Sequence, residues 1–252
     1  MSGALVGRRA LVVGGTSGIG LASARQMQSQ GAQVTVAGRS PERGAAAVAA
    51  LGGTAAYLQG DAGDPASCAA MVARAAERMG GIDVLMSCGG GDPMPRLLKD
   101  IPLEQLMGEV TGTLAPVITP ARAVLPVMAA QGGGAVICVA SDAGKLATPG
   151  EVAIGAAMAG IIMFCRAMAN EVKRDGIRVN CLTPSIVEGT SLHDRMMADG
   201  FAGRLFGKAK TLAHLGVATA EDLAAMAVFL AGPGAARVTG QTISVTGGIS
   251  AI

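Results

Sequence analysis

Seven short apolar runs, at residues 10–13, 33–37, 55–58, 84–87, 135–140, 177–181 and 242–245, alternate with longer segments of helical character. A chain that returns from helix to strand in this way builds a parallel sheet, because parallel neighbours need a long crossover between them. The runs are almost unbroken in apolar character, as expected where helices cover both faces of the sheet. Right-handed crossovers then fix most of the topology. The predicted fold is a doubly wound parallel α/β sheet in one domain spanning 1–252. A chain of 252 residues has ample core for one such domain and too little for two. Asp64-Pro65 reads as an N-cap followed by proline at the first helical position, with Met71, Val72, Ala75, Ala76 and Met79 as the buried stripe behind it. The least regular stretch, 189–215, carries Met196, Met197, Phe201 and Phe206 among polar residues. It reads as a lid over a substrate, with a surface helix pair as the alternative.

Charge and composition narrow the functions. The formal net charge is +2 with both signs interleaved, which leaves no footprint for nucleic acid or an anionic membrane, and neither partner is expected. The most apolar run, from Val152 to Cys165, holds two glycines and stops at Arg166, short of the roughly 18 to 20 residues of a span; it reads as a buried helix. The opening MSGALVGRRALVVGG does not have the form of a signal peptide, so a cytoplasmic location is expected. Half the residues are apolar and 38 are glycine, against 15% charged. That balance leaves apolar surface for a subunit interface, and a homo-oligomer, dimer or tetramer, is expected. Five cysteines without a CxxC pair suit reduced thiols better than disulfides or zinc, so no metal site is expected; Cys138 and Cys181 read as small core residues.

The first strand runs into Gly14-Gly-Thr16-Ser17-Gly18-Ile19-Gly20 and then into a helix. Glycines in such a turn let the backbone approach a pyrophosphate, whose charge rests on the N–H groups at the helix start. With 38 glycines in 252 residues, about one GxxxGxG match arises by chance, so the signal lies in the strand–turn–helix context. At the end of the second strand, where an NAD enzyme places a carboxylate for the ribose hydroxyl, stands Arg39. A guanidinium there suits a 2′-phosphate, which favours NADP(H) over NAD(H); an exposed arginine is the plain alternative. Asp61, after the third strand, either accepts from an adenine amino group or stabilises a turn.

Taken together, the glycine turn, DVLMSCGGG at Asp83, AVLPVMAAQGGGAVICVASDAG, RAMANEVKRDGIRVNCLTPS and VTGQTISVTGG resemble the short-chain dehydrogenase/reductase family over essentially the whole chain. The resemblance implies a Rossmann-type domain. It makes Gly14, Gly18 and Gly20, with the intervening Thr16, Ser17 and Ile19, the pyrophosphate turn, and adds Gly89, Pro184 and Val187 as cofactor contacts. It makes Ser141 the hydroxyl that holds the substrate oxygen, and segments 103–130 and 152–174 the subunit contacts. The family's proton-donating Tyr and its partner Lys fall on Ile154 and Met158. The chain's one tyrosine, Tyr57, belongs to the third strand. Other family positions differ as well: its helix Asn falls on Thr113, its Asn-Asn-Ala-Gly run reads Ser87-Cys88-Gly89-Gly90, its Pro-Gly reads Pro184-Ser185, and a threonine near the carboxamide falls on Gly189 with Thr190 one place away.

A positioned general acid is typically worth about 10²- to 10⁴-fold in rate, so ordinary ketone reduction is expected to be crippled. Replacement donors are sought in Asp142, Lys145, Glu151, Cys138, His193 and His214. Glu151 ranks first, because the tyrosine of enoyl reductases of this fold, seven residues before the lysine position, lands on it; a solvated charge at a helix start is the alternative. Asp142 and Lys145 read as loop charges, the two histidines as surface residues. Three functions follow: an NADP-dependent oxidoreductase acting on an imine, enone or other small apolar substrate that needs no strong acid; a non-catalytic subunit in a hetero-oligomer with an active relative; or a redox-neutral lyase or isomerase.

Overall fold

The computed structural model describes residues 3–91 and 93–251. In chain order its strands are β1 (Arg9–Val13), β2 (Gln33–Gly38), β3 (Ala56–Gln59), β4 (Val84–Ser87), β5 (Gly134–Val139), β6 (Ile177–Pro184) and β7 (Thr242–Val245). Its α-helices are α1 (Gly18–Ser29), α2 (Pro41–Leu51), α3 (Pro65–Met79), α4 (Leu103–Ala123), α5 (Leu125–Ala130), α6 (Val152–Val172), α7 (Ser191–Ala198), α8 (Ala202–Lys210) and α9 (Ala220–Ala231). The strands form one parallel sheet in the order β3-β2-β1-β4-β5-β6-β7. The order reverses direction between β1 and β4, the place where ligands bind in open sheets of this kind.

Alternation along each strand sends side chains to two separate cores. Ala10, Val12, Val34, Val36, Val84 and Met86 pack with α1 and α9, while Leu11, Val13, Leu58, Leu85 and Val136 pack with α3, α4 and α6. All seven strands stand where the apolar runs place them, and 84–87 and 242–245 match in full. The largest difference is β6, which continues three residues beyond 181 through Leu182, Thr183 and Pro184. Pro184 closes the strand as its last residue, a position that tolerates the missing donor.

Helix α3 begins as expected: the Asp64 carboxylate accepts from the Ser67 N–H at 2.7 Å, Pro65 is the first helical residue, and Met71, Val72, Ala75 and Met79 are buried. Helix α6 runs on past the apolar run that ends before Arg166, because that side chain lies on the exposed face while Cys165, Met168 and Ala169 continue the buried one. Segments Leu103–Ala130 and Val152–Asp175 are each long and apolar enough to cross a membrane, at mean hydropathies of 1.4 and 1.9. The length argument against a span therefore fails, and packing replaces it: the inner face of α6, from Ile161 to Val172, lies in the sheet's core.

Candidate active site

The glycine turn is built by backbone geometry. Gly14 has φ of 77°, a conformation that side chains oppose, and a Cβ there would stand 2.6 Å from the Cys88 carbonyl oxygen. A Cβ on Gly20 would collide with the Gly14 carbonyl, so its absence is what lets α1 seat against β1. Ser17 is the N-cap residue of α1 but makes no side-chain cap, unlike Ser40, Asp64, Thr190 and Thr219 on their helices. The first N–H groups of α1 are thereby left for an anion in the cavity that Ser17, Gly18 and Ile19 line. This cradle fits the diphosphate of a dinucleotide.

A cavity of about 650 Å³ runs along the carboxyl ends of the strands. It brings together the residues expected to hold the cofactor, Gly14, Thr16, Ser17, Gly18, Ile19, Gly20, Arg39, Asp61, Gly89, Pro184 and Val187, with Ser141, Glu151, Ile154 and Met158. Asp61 accepts from the Gly63 N–H at 2.8 Å, which is the turn role, while its side chain also faces the cavity. Arg39 is exposed at the β2 end, and Arg43 in the first turn of α2 joins it on the cavity wall. Sequence reading passed over Arg43, although its spacing of four from Arg39 across the Ser40 cap was visible.

Ser141 follows β5 and caps a short 3₁₀ turn, its Oγ accepting from the Ala143 N–H at 3.2 Å and leaving the O–H to donate into the cavity. Ile154 is buried and Met158 half-buried on the inner side of α6, so the wall opposite the serine is hydrocarbon. Tyr57 lies elsewhere, with its hydroxyl on the Gly38 carbonyl at 2.8 Å. Glu151, the N-cap residue of α6, makes no side-chain cap; it is half-buried and faces the cavity, in place of the solvated charge that was the alternative. Burial pushes its carboxyl above the usual range, with the Thr148 hydroxyl pulling weakly the other way.

Of the other candidates only Asp142 lines the cavity, and it is already engaged. Asp142 and Lys145 are not loop charges: they form an ion pair of 2.9 Å with side-chain exposures of 6% and 13%. Asp142 also accepts from Ser244 at 3.1 Å and from Ser250, which ties the serine turn to β7 and the C-terminal tail. The sequence reading missed this link because it spans a hundred residues without a local signal. His193 is not a surface residue, at 14% side-chain exposure, held between Asp194 and Lys210, whereas His214 is exposed; neither lines the cavity. Cys138 is fully buried in β5. Cys88 does reach the cavity, where burial raises its thiol to about 12. Segment 189–215 is a helix pair, α7 and α8, whose Leu192, Met196, Leu205 and Phe206 face the cavity from above β6.

The sequence model described as short chain dehydrogenase matches residues 8–199. The chain belongs to the short-chain dehydrogenase family. It is 32% identical to the 3-oxoacyl-[acyl-carrier-protein] reductase FabG of Chlamydia trachomatis, with 99% of this chain and all of the relative aligned. Against the D-beta-hydroxybutyrate dehydrogenase of Rhizobium meliloti it is 31% identical over 97% of this chain and 99% of that one. The crystal structure of a short-chain dehydrogenase/reductase from Burkholderia xenovorans superposes with a TM-score of 0.88 at 30% identity, covering 98% of each chain.

Proposed function

We propose that this short-chain dehydrogenase is a cytoplasmic oxidoreductase using NADP(H) in preference to NAD(H), acting on a small apolar substrate that requires no phenolic acid at the moment of reduction. One observation carries the reading: a single cavity joins an open glycine cradle and Arg39 to Ser141, and meets hydrocarbon from Ile154 and Met158 where the family resemblance puts Tyr and Lys. Arg39 with Arg43 supports the 2′-phosphate preference, because two guanidiniums there favour a dianion. When bound, the reduced nicotinamide supplies a hydride. Ser141 then orients the acceptor by donating its O–H, but an unassisted hydroxyl is too weak an acid to replace a tuned phenol. Substrates whose electrons settle without an immediate proton, such as iminium ions and enones, fit this wall; simple ketones do not.

Fluorescence titration with NADPH and NADH tests the first half, and incubation with a panel of imines, enones and ketones tests the second. Tighter binding of NADPH with turnover of imines or enones alone is the expected result. Binding of neither nucleotide removes every redox reading.

The apolar pair Ile154 and Met158 also favours a second reading, a subunit that keeps the packing of the fold and lends it to an active relative. Co-purification with a tyrosine- and lysine-bearing relative supports that reading, and activity of the isolated chain removes it. A lyase or isomerase using Asp142, Glu151 or His193 as base would rest on Glu151, since Asp142 is locked by Lys145 and His193 stands outside the cavity.

A further inference from the structure

Among the described residues, the charged side chains lining the cavity are Arg39, Arg43, Asp61, Asp142 and Glu151. They are not evenly spread. Arg39, Arg43 and Asp61 follow β2 and β3 and serve the cradle end, and Asp142 is neutralised by its buried ion pair with Lys145. Glu151 is therefore the charge left at the reacting end, where Leu146, Ile154, Met158, Leu192, Met196 and Phe206 make the walls.

We infer that Glu151 is a counter-ion for a positively charged, otherwise apolar substrate, a cationic imine or the amine derived from it. This rests on the oxidoreductase reading and narrows its substrate class. A carboxylate among apolar walls is poorly solvated, and a hydrophobic cation answers that deficit better than a neutral molecule, while an anionic substrate meets repulsion and no cation. The site itself shows the same deficit, since burial holds the Glu151 carboxyl above its usual range. The chemistry closes without an acid. A hydride arriving with its electron pair forms a C–H bond at the iminium carbon as the C=N π pair moves to nitrogen; the charge is discharged, the imine is reduced to an amine, and no proton is consumed. Glu151 is accordingly a binding residue, and the apolar character of Ile154 and Met158 ceases to be a defect for this substrate.

The test compares benzyldimethylammonium with N,N-dimethylbenzamide, a neutral molecule of similar size, by calorimetric titration of the full-length protein with and without saturating NADPH. The cation is expected to bind at least about tenfold more tightly, a gap of about 1.4 kcal/mol, and to lose that preference as pH is lowered and Glu151 takes up a proton. Glu151→Gln is expected to abolish both the preference and its pH dependence while leaving the affinity for the amide unchanged. Equal binding of the two probes to the unaltered protein, binding of neither, or equal weakening of both by E151Q overturns the inference. The NADPH titration is read separately: cation binding without nucleotide binding sinks the redox reading and leaves an amine site standing.

Discussion

Glu151 sets a stability against a function at one position. A carboxyl whose pKa in the fold lies above its unfolded value stabilises relative to a carboxylate only while protonated, and that contribution is lost as pH rises through the folded value. Glu151→Gln is therefore expected to raise the melting temperature at neutral and alkaline pH, with the gain shrinking toward zero in acid. A gain that does not change with pH would place the strain elsewhere. A few residues away, Ile154→Tyr combined with Met158→Lys is expected to create or raise NADPH-dependent ketone reduction, because both side chains already line the cavity with Ser141. Kinetics on a folded double variant decide it; unchanged background activity shows that the pocket as well as the acid has diverged. At this scale the sequence was informative where chemistry is local. The glycine turn and the hydrocarbon at 154 and 158 were legible from residue identity and spacing alone. The buried state of Asp142 was not, since its partners Ser244 and Ser250 come from the far end of the chain.

Between elements, the joint of β1 and β4 is held by more than its ladder. Arg9 donates from Nε and Nη2 to the two oxygens of Asp83 at 2.7 and 2.9 Å, and its backbone N–H adds a third bond at 2.9 Å. Burial alone raises the Asp83 carboxyl, but the bonds from Arg9 outweigh it and hold the group below the usual range. A carboxyl depressed in this way contributes stability above its unfolded value, and the contribution disappears as pH falls through the folded one. Asp83→Asn is thus expected to cost about 1 to 3 kcal/mol at neutral pH, with the gap to the unaltered protein closing in acid; denaturant midpoints across pH measure it. A penalty that persists in acid would mean that packing, and not ionisation, is what the substitution removes. Element boundaries followed the strength of their local signals. The Asp64-Pro65 start was legible because cap and proline act within one turn, whereas the apolar run ending before Arg166 understated the length of α6 available for burial, since one exposed charge does not interrupt a buried stripe.

At the scale of the molecule, α4 and α6 pack on one another and on the sheet, yet each keeps an apolar outer row. Leu103 and Met107 on α4 are 84% and 64% exposed, and Val152 and Met163 on α6 are 51% and 59% exposed. Spacings of four and eleven put each pair on one side of its helix, so these are rows and not scattered residues. Apolar rows on two adjoining helices are what a symmetric self-contact covers, and self-association is the expected state. Met107→Lys with Met163→Lys should yield a smaller species by sedimentation without lowering the helical signal, because neither side chain reaches the core. The consequence extends to the cavity, for Val152 directly follows Glu151 at the start of α6. Covering Val152 would dry the flank of that carboxylate and strengthen its hold on a cation. The double variant should therefore bind the cationic probe less tightly than the parent, with the amide unaffected. A parent protein that sediments as a monomer at every concentration would disconnect the outer rows from the site altogether.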